Sequence, residues 1–138
     1  METVIVLLRE KNHHLEKFYW VNEQELINFG VGNFDTIESF YQARERLLDA
    51  IKCVDGLIEI ENRKMPTEVT DVYRDEVELL LQSKDELVKS ILAQDLQILV
   101  YIEREKSNII RDLRANSTAK RAVGAYAQAE RNKQLDQE

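Results

Sequence analysis

From Pro66, the only proline, to Arg114 the chain carries no glycine and no second proline, and the whole sequence holds only four glycines. A chain so poor in backbone breakers is constrained towards long helices, because sheets and short connections need turn residues it does not have. Two of the four glycines, Gly30 and Gly32, fall together in the stretch FGVGNFDTIESF, residues 29–40. The sequence therefore concentrates its turn chemistry at one place and leaves most of the remainder free to be helical.

The apolar spacing agrees. Over residues 2–29, Val4, Leu8, Leu15, Phe18 with Tyr19, Leu26 and Phe29 recur at multiples of three and four, which puts them on one helical face. Gly30 is then expected as the left-handed residue that ends this helix. A second helix is expected to open at Asp35, whose carboxylate can accept from the free amides of the next turn, with Glu38 three residues on completing a capping-box variant. Phe34, just before that cap, is expected to staple onto the first turns of this second helix. Its stripe runs through Ile37, Phe40 and Tyr41, Leu47 and Leu48, Ile51, Val54 and Ile58, with Arg44 where an apolar residue was due. Gly56 either ends the helix or is carried inside it at about 1 kcal/mol; the pattern favours continuation to about Arg63.

RKMPTEVTD marks the second break, since a proline disfavours helix in the residue before it, and Thr67 or Thr70 can cap a third helix. The third stripe comprises Val69, Tyr73, Val77, Leu80, Leu87, Ile91, Ile98, Ile102, Ile109 and Leu113, interrupted at Lys84, Asp95 and Lys106. Unbroken, that helix would be about 72 Å long against about 42 Å for the first. Either it breaks near residues 83–95 or its far end is covered by something else. After Arg114 the large aliphatics vanish. Ala115, Ala119, Ala122 and Tyr126 fall roughly on one face of a weakly amphipathic segment, and residues 130–138 are expected to fray. The fold expected is all-α, an elongated antiparallel bundle of three long helices over residues 1–114, with a loosely attached C-terminal helical segment, 115–138.

Charge narrows the function classes. The net charge is -7 and the pI near 5.0, the opposite of a nucleic-acid-binding field, although Arg111, Arg114, Lys120 and Arg121 gather late in the chain. No apolar run approaches the ~18 residues of a membrane span. The N-terminal stretch has no basic region of the secretory kind, and the single cysteine, Cys53, permits no intramolecular disulfide; both fit a cytoplasmic protein. Cys53 has no recognisable base partner and is expected to be a packed or half-exposed structural thiol. Glu10 and His13 have the Glu-x-x-His spacing of half a di-iron site, but the chain has only two histidines and cannot complete such a site alone. No phosphate loop, nucleophile elbow or catalytic triad is visible, so no catalytic residue, cofactor or metal is expected.

Arg44 and Asp95 interrupt stripes on facing helices. They either pair across the core and fix helix register, or each extends to its own edge of the stripe; both roles are structural.

The chain resembles the cytoplasmic flagellar export chaperones of the FlgN/FliT type. The resemblance is carried by GNFDTIESFYQARERLLDAI, with Gly32, Asn33, Phe34, Asp35, Ile37, Arg44, Leu47 and Leu48. ILAQDLQILVYIEREKSNIIRDL around Asp95 and the basic stretch KRAVGAY add to it. It implies a non-catalytic binding protein that holds the apolar terminal helix of a late flagellar subunit, a hook–filament junction or filament-cap protein. Such a protein then docks on the export gate and its ATPase. Ile102, Ile109, Ile110, Leu113, Ala119, Ala122, Val123 and Tyr126 are the partner-binding residues it implies, Tyr126 matching a tyrosine that contacts the gate. Gly32, Phe34, Asp35, Arg44 and Asp95 would be scaffold. The competing reading is a structural or regulatory coiled-coil protein acting by self-association, as a homodimer.

Overall fold

The computed structural model describes residues 2–64 and 71–136. Every regular element among them is a helix: α1, Glu2–Gly30; α2, Ile37–Lys64; and α3, Asp71–Asp136. The chain divides into two compact units, Met1–Leu99 and Val100–Glu138. None of the described helices is long and apolar enough to cross a membrane.

In the first unit α1 supplies most of the core. Val4, Leu8, Leu15, Phe18 and Phe29 are buried as their spacing predicts, joined by Ile5 and Leu7. The same face also buries Asn12, Asn22 and Glu25, polar residues that a hydrophobicity pattern passes over. Leu15, Phe18 and Ile91 form the central cluster, against which Tyr19, Leu47, Ile51, Leu87 and Val88 pack. One cluster thus draws on α1, α2 and the first part of α3. Lys11 pairs with Asp55 at 2.7 Å, Arg44 lies over the Phe18 ring, and Thr36 donates to Glu25. Residue numbers therefore fall along α2 as they rise along α1. Arg9 pairs with Glu76, and the Asn12 side-chain amide donates to the Leu80 carbonyl at 3.0 Å.

The α1–α2 turn differs from its expected form in two ways. The left-handed residue is Gly32, at φ 78°, whereas Gly30 is the last helical residue of α1. The Gly32 amide donates to the Phe29 carbonyl (3.0 Å) and the Asn33 amide to the Asn28 carbonyl (2.9 Å), the paired bonds of a Schellman motif with Gly32 just beyond the cap. Phe34 stacks backwards on Phe29, ring centroids 4.8 Å apart and planes 18° apart. Finally, α2 begins at Ile37, so Thr36 takes the capping position and its carbonyl accepts from the Phe40 amide. Asp35 is exposed one residue too early to cap, and its own amide donates to the Asn33 side chain at 3.0 Å. The Thr36 hydroxyl donates to the buried Glu25 carboxylate at 2.8 Å and accepts from Asn28. The turn is tied to α1 by side chains on both sides of it.

Gly56 lies inside α2, which ends at Lys64 with Arg63 and Lys64 in its last turn, where cations offset the helix dipole. The caps expected at Thr67 or Thr70, the break at Pro66 and the start of the third stripe at Val69 lie outside the described residues. α3 is continuous through residues 83–95 and through 114–115, and it remains helical past residue 130 to Asp136.

Candidate functional site

Two sets of residues bear on function, one in each unit. In the first unit, of the two arrangements open to Arg44 and Asp95, the pair is the one present, at 3.2 Å, both side chains partly shielded from solvent. The Arg44 guanidinium also faces two rings, with its central carbon 4.9 Å from the Phe18 centroid and 5.2 Å from that of Phe40. Those two phenylalanines hold the guanidinium by cation–π attraction. Asp95 accepts a second bond from the Asn22 side-chain amide, 3.2 Å away, which also donates to Gln94 at 3.1 Å. Gln94 in turn donates to the Tyr19 carbonyl (3.1 Å) and to Glu23 (2.8 Å).

Asn22 is 0% exposed, and its side-chain carbonyl has no partner among the described residues, so one acceptor of this network is buried unpaired. Five side chains from three helical segments thereby share one set of directional bonds. Sliding either helix by a residue would break several of them at once. The network is a register device.

In the second unit, helix α3 carries the residues expected to bind a partner. Ile102 is half-buried, whereas Ile109 (51% exposed), Ile110, Leu113 (62%), Val123 (70%) and Tyr126 (79%) face solvent, as do Ala119 and Ala122. From residue 109 to residue 134 every side chain is exposed. At about 100° per residue these positions make two stripes rather than one patch. Ile102, Ile109, Leu113 and Val123 run along one. Ala115, Ala119, Ala122 and Tyr126 run along another, about a third of a turn away, and Ile110 lies on neither. Residues 115–134 continue the helix that bears Ile109 and Leu113; they do not fold back to cover it. An uncovered apolar stripe of this length usually marks an interaction site.

Sequence reasoning missed a second apolar face, in the first unit. Trp20, Ile27 and Val31 are exposed along α1 and the turn after it. Trp20 forms one wall of an open groove of about 340 Å³ whose lining includes Val21, Phe40 and Ala43. The signal is present in the sequence: Trp20, Gln24, Ile27 and Val31 follow the i, i+4, i+7, i+11 spacing of a helical face. It is masked by the longer and more regular core stripe on the same helix.

Glu10 approaches His14, at 3.8 Å, rather than His13, and among the described residues no three metal-ligating side chains converge. Cys53 is exposed, not packed. Comparison with protein-family models, with curated proteins and with solved structures finds no match to the chain.

Proposed function

We propose that this protein is a cytoplasmic flagellar export chaperone without catalytic activity. It binds the amphipathic terminal helix of a late flagellar subunit, of the hook–filament junction or filament-cap class, prevents its premature assembly and delivers it to the export gate and ATPase. In this reading the first unit is an antiparallel three-helix bundle that serves as scaffold, and residues 100–136 are the cargo-binding arm. The observation that carries the proposal is the exposed apolar stripe of Ile109, Leu113 and Val123, which no other described residue covers. An amphipathic helix recognises such a surface through its i, i+3, i+4 and i+7 positions. Tyr126, off that stripe and exposed, is left free for the gate.

The test is co-purification of the full chain with each of the two subunit classes, before and after deletion of residues 115–138. The proposal expects a one-to-one complex that the deletion abolishes, and Tyr126→Ala to weaken gate engagement with helix content unchanged. Absence of a complex with either class overturns it. The alternative, self-association through α3, is favoured by the same exposed stripe; a stable homodimer that takes up neither subunit supports it.

A further inference from the structure

The stripe on residues 100–136 has a finer pattern than its apolar members alone show. Ile102, Lys106, Ile109, Leu113, Asn116, Lys120 and Val123 follow one another at alternating steps of four and three. That alternation defines the seam of a two-stranded coiled coil, and the seam is open to solvent from Ile109 to Val123. Two of its seven positions are lysines, fourteen residues or two heptads apart, which is about 21 Å along the helix.

Charge around the seam has the same sign. Residues 106–121 contain Lys106, Arg111, Arg114, Lys120 and Arg121 against one acid, Asp112, whereas residues 1–99 carry twenty acidic residues against eleven basic ones. Among the described residues no carboxylate pairs with Lys106, Arg114, Lys120 or Arg121; Arg111 donates to the neutral Asn108 side chain, and Thr118 donates to the Arg114 carbonyl.

A second copy is a poor occupant. Paired parallel and in register, it sets Lys106 against Lys106 and Lys120 against Lys120. That places like charges in the seam, where they repel and lose hydration. Paired antiparallel with Leu113 opposite Asn116, it sets Lys106 against Val123 and Lys120 against Ile109, leaving both ammonium groups facing hydrocarbon. A wholly apolar partner stripe would leave two ammonium groups facing hydrocarbon.

We infer that the seam from Ile102 to Val123 is built for a heterologous amphipathic helix that is acidic, with carboxylates at two seam positions two heptads apart, opposite Lys106 and Lys120, and apolar residues between them opposite Ile109 and Leu113. Asn116 takes a polar seam partner and fixes the register, as single polar seam residues do. Arg114 and Arg121, seven residues apart beside the seam, attract the acidic flank. This rests on the proposal that residues 100–136 are the cargo-binding arm, and it specifies the chemistry of the cargo helix.

The test uses the full-length protein and two synthetic 28-residue helical peptides with leucine seams. One has glutamate, the other lysine, at two seam positions fourteen residues apart; binding is followed by fluorescence anisotropy. The wild type is expected to prefer the glutamate peptide by about tenfold or more, with affinity falling as salt rises. Lys106→Glu/Lys120→Glu should invert the preference while circular dichroism stays unchanged. Equal binding of both peptides, no binding of either, or a dimer held by residues 100–136 overturns the inference. Cargo binding that survives the double charge reversal undamaged refutes the seam assignment and leaves the chaperone reading standing. A clean inversion with the peptides, alongside no complex with any flagellar subunit, does the reverse.

Discussion

Replacing Arg44 tests the register network directly. Its guanidinium has three partners: Asp95 at 3.2 Å and the Phe18 and Phe40 rings at 4.9 and 5.2 Å. Arg44→Met keeps most of the stem and removes the charge. A partly exposed ion pair is worth about 0.5–1 kcal/mol once solvent screening is allowed for. Each cation–π contact adds about 0.5–1 kcal/mol at this degree of exposure. Asp95 is not orphaned, because Asn22 still donates to it. The expected loss is therefore about 1.5–3 kcal/mol, below the cost of stranding a buried charge. The pairwise share is isolated by a cycle with Asp95→Asn, where a coupling of about 0.5–1 kcal/mol is expected.

Urea unfolding followed by tryptophan fluorescence suits this measurement, since the single tryptophan, Trp20, lies in the first unit and reports on it alone. With an m-value of about 1–3 kcal/mol/M the midpoint should fall by roughly 1 M at constant slope. A coupling within about 0.2 kcal/mol of zero would show that the pair does not hold the helices in register.

The glycines make a contrasting pair. Gly32→Ala should destabilise by about 1–2 kcal/mol, because φ 78° penalises any Cβ although no atom lies within 4 Å of it. Gly56→Ala, at a helical position with equally open space, should stabilise by about 0.5–1 kcal/mol; opposite shifts in thermal midpoint check both. Phe34→Ala should cost about 1–2 kcal/mol through the lost stack on Phe29, and a double-mutant cycle with Phe29→Leu should show coupling there and none with the first turn of α2. Cys53 should react with a thiol reagent in the folded protein without denaturant; protection until unfolding would contradict its exposure. Ile109→Asp with Leu113→Asp should leave the urea midpoint of the first unit unchanged while abolishing partner binding, and a matching loss of stability would reassign both residues to a core.

Much of the fold was legible because helices announce themselves through local spacing. Scarce breakers and stripes at three- and four-residue steps placed α1 and α2 to within two residues. Apart from the apolar face of Trp20, Ile27 and Val31, what escaped was polar or depended on φ. Asn22 and Glu25 lie on the buried face of α1, and only the positions of Gln94, Asp95 and Thr36 on other segments make them tolerable there. Of two candidate glycines, the sequence favours Gly30, one residue past Phe29. Gly32 is selected by where the Asn28 and Phe29 carbonyls end up. Likewise Thr36 takes the capping position in place of Asp35, and its hydroxyl reaches Glu25, a contact between residues eleven apart that no local pattern encodes.

The amino-acid sequence by itself thus determined that the chain is helical, where its first turn falls, and that a basic, apolar-seamed segment comes after Val100. Those properties depend on the spacing of residues along one stretch of backbone, and spacing is written in order. Tertiary structure alone decided which polar residues are buried together, which way Phe34 turns, and that Ile109, Leu113 and Val123 stay uncovered by any described residue. Each depends on distances between residues that the chain order leaves open, and those distances exist only once the helices have packed.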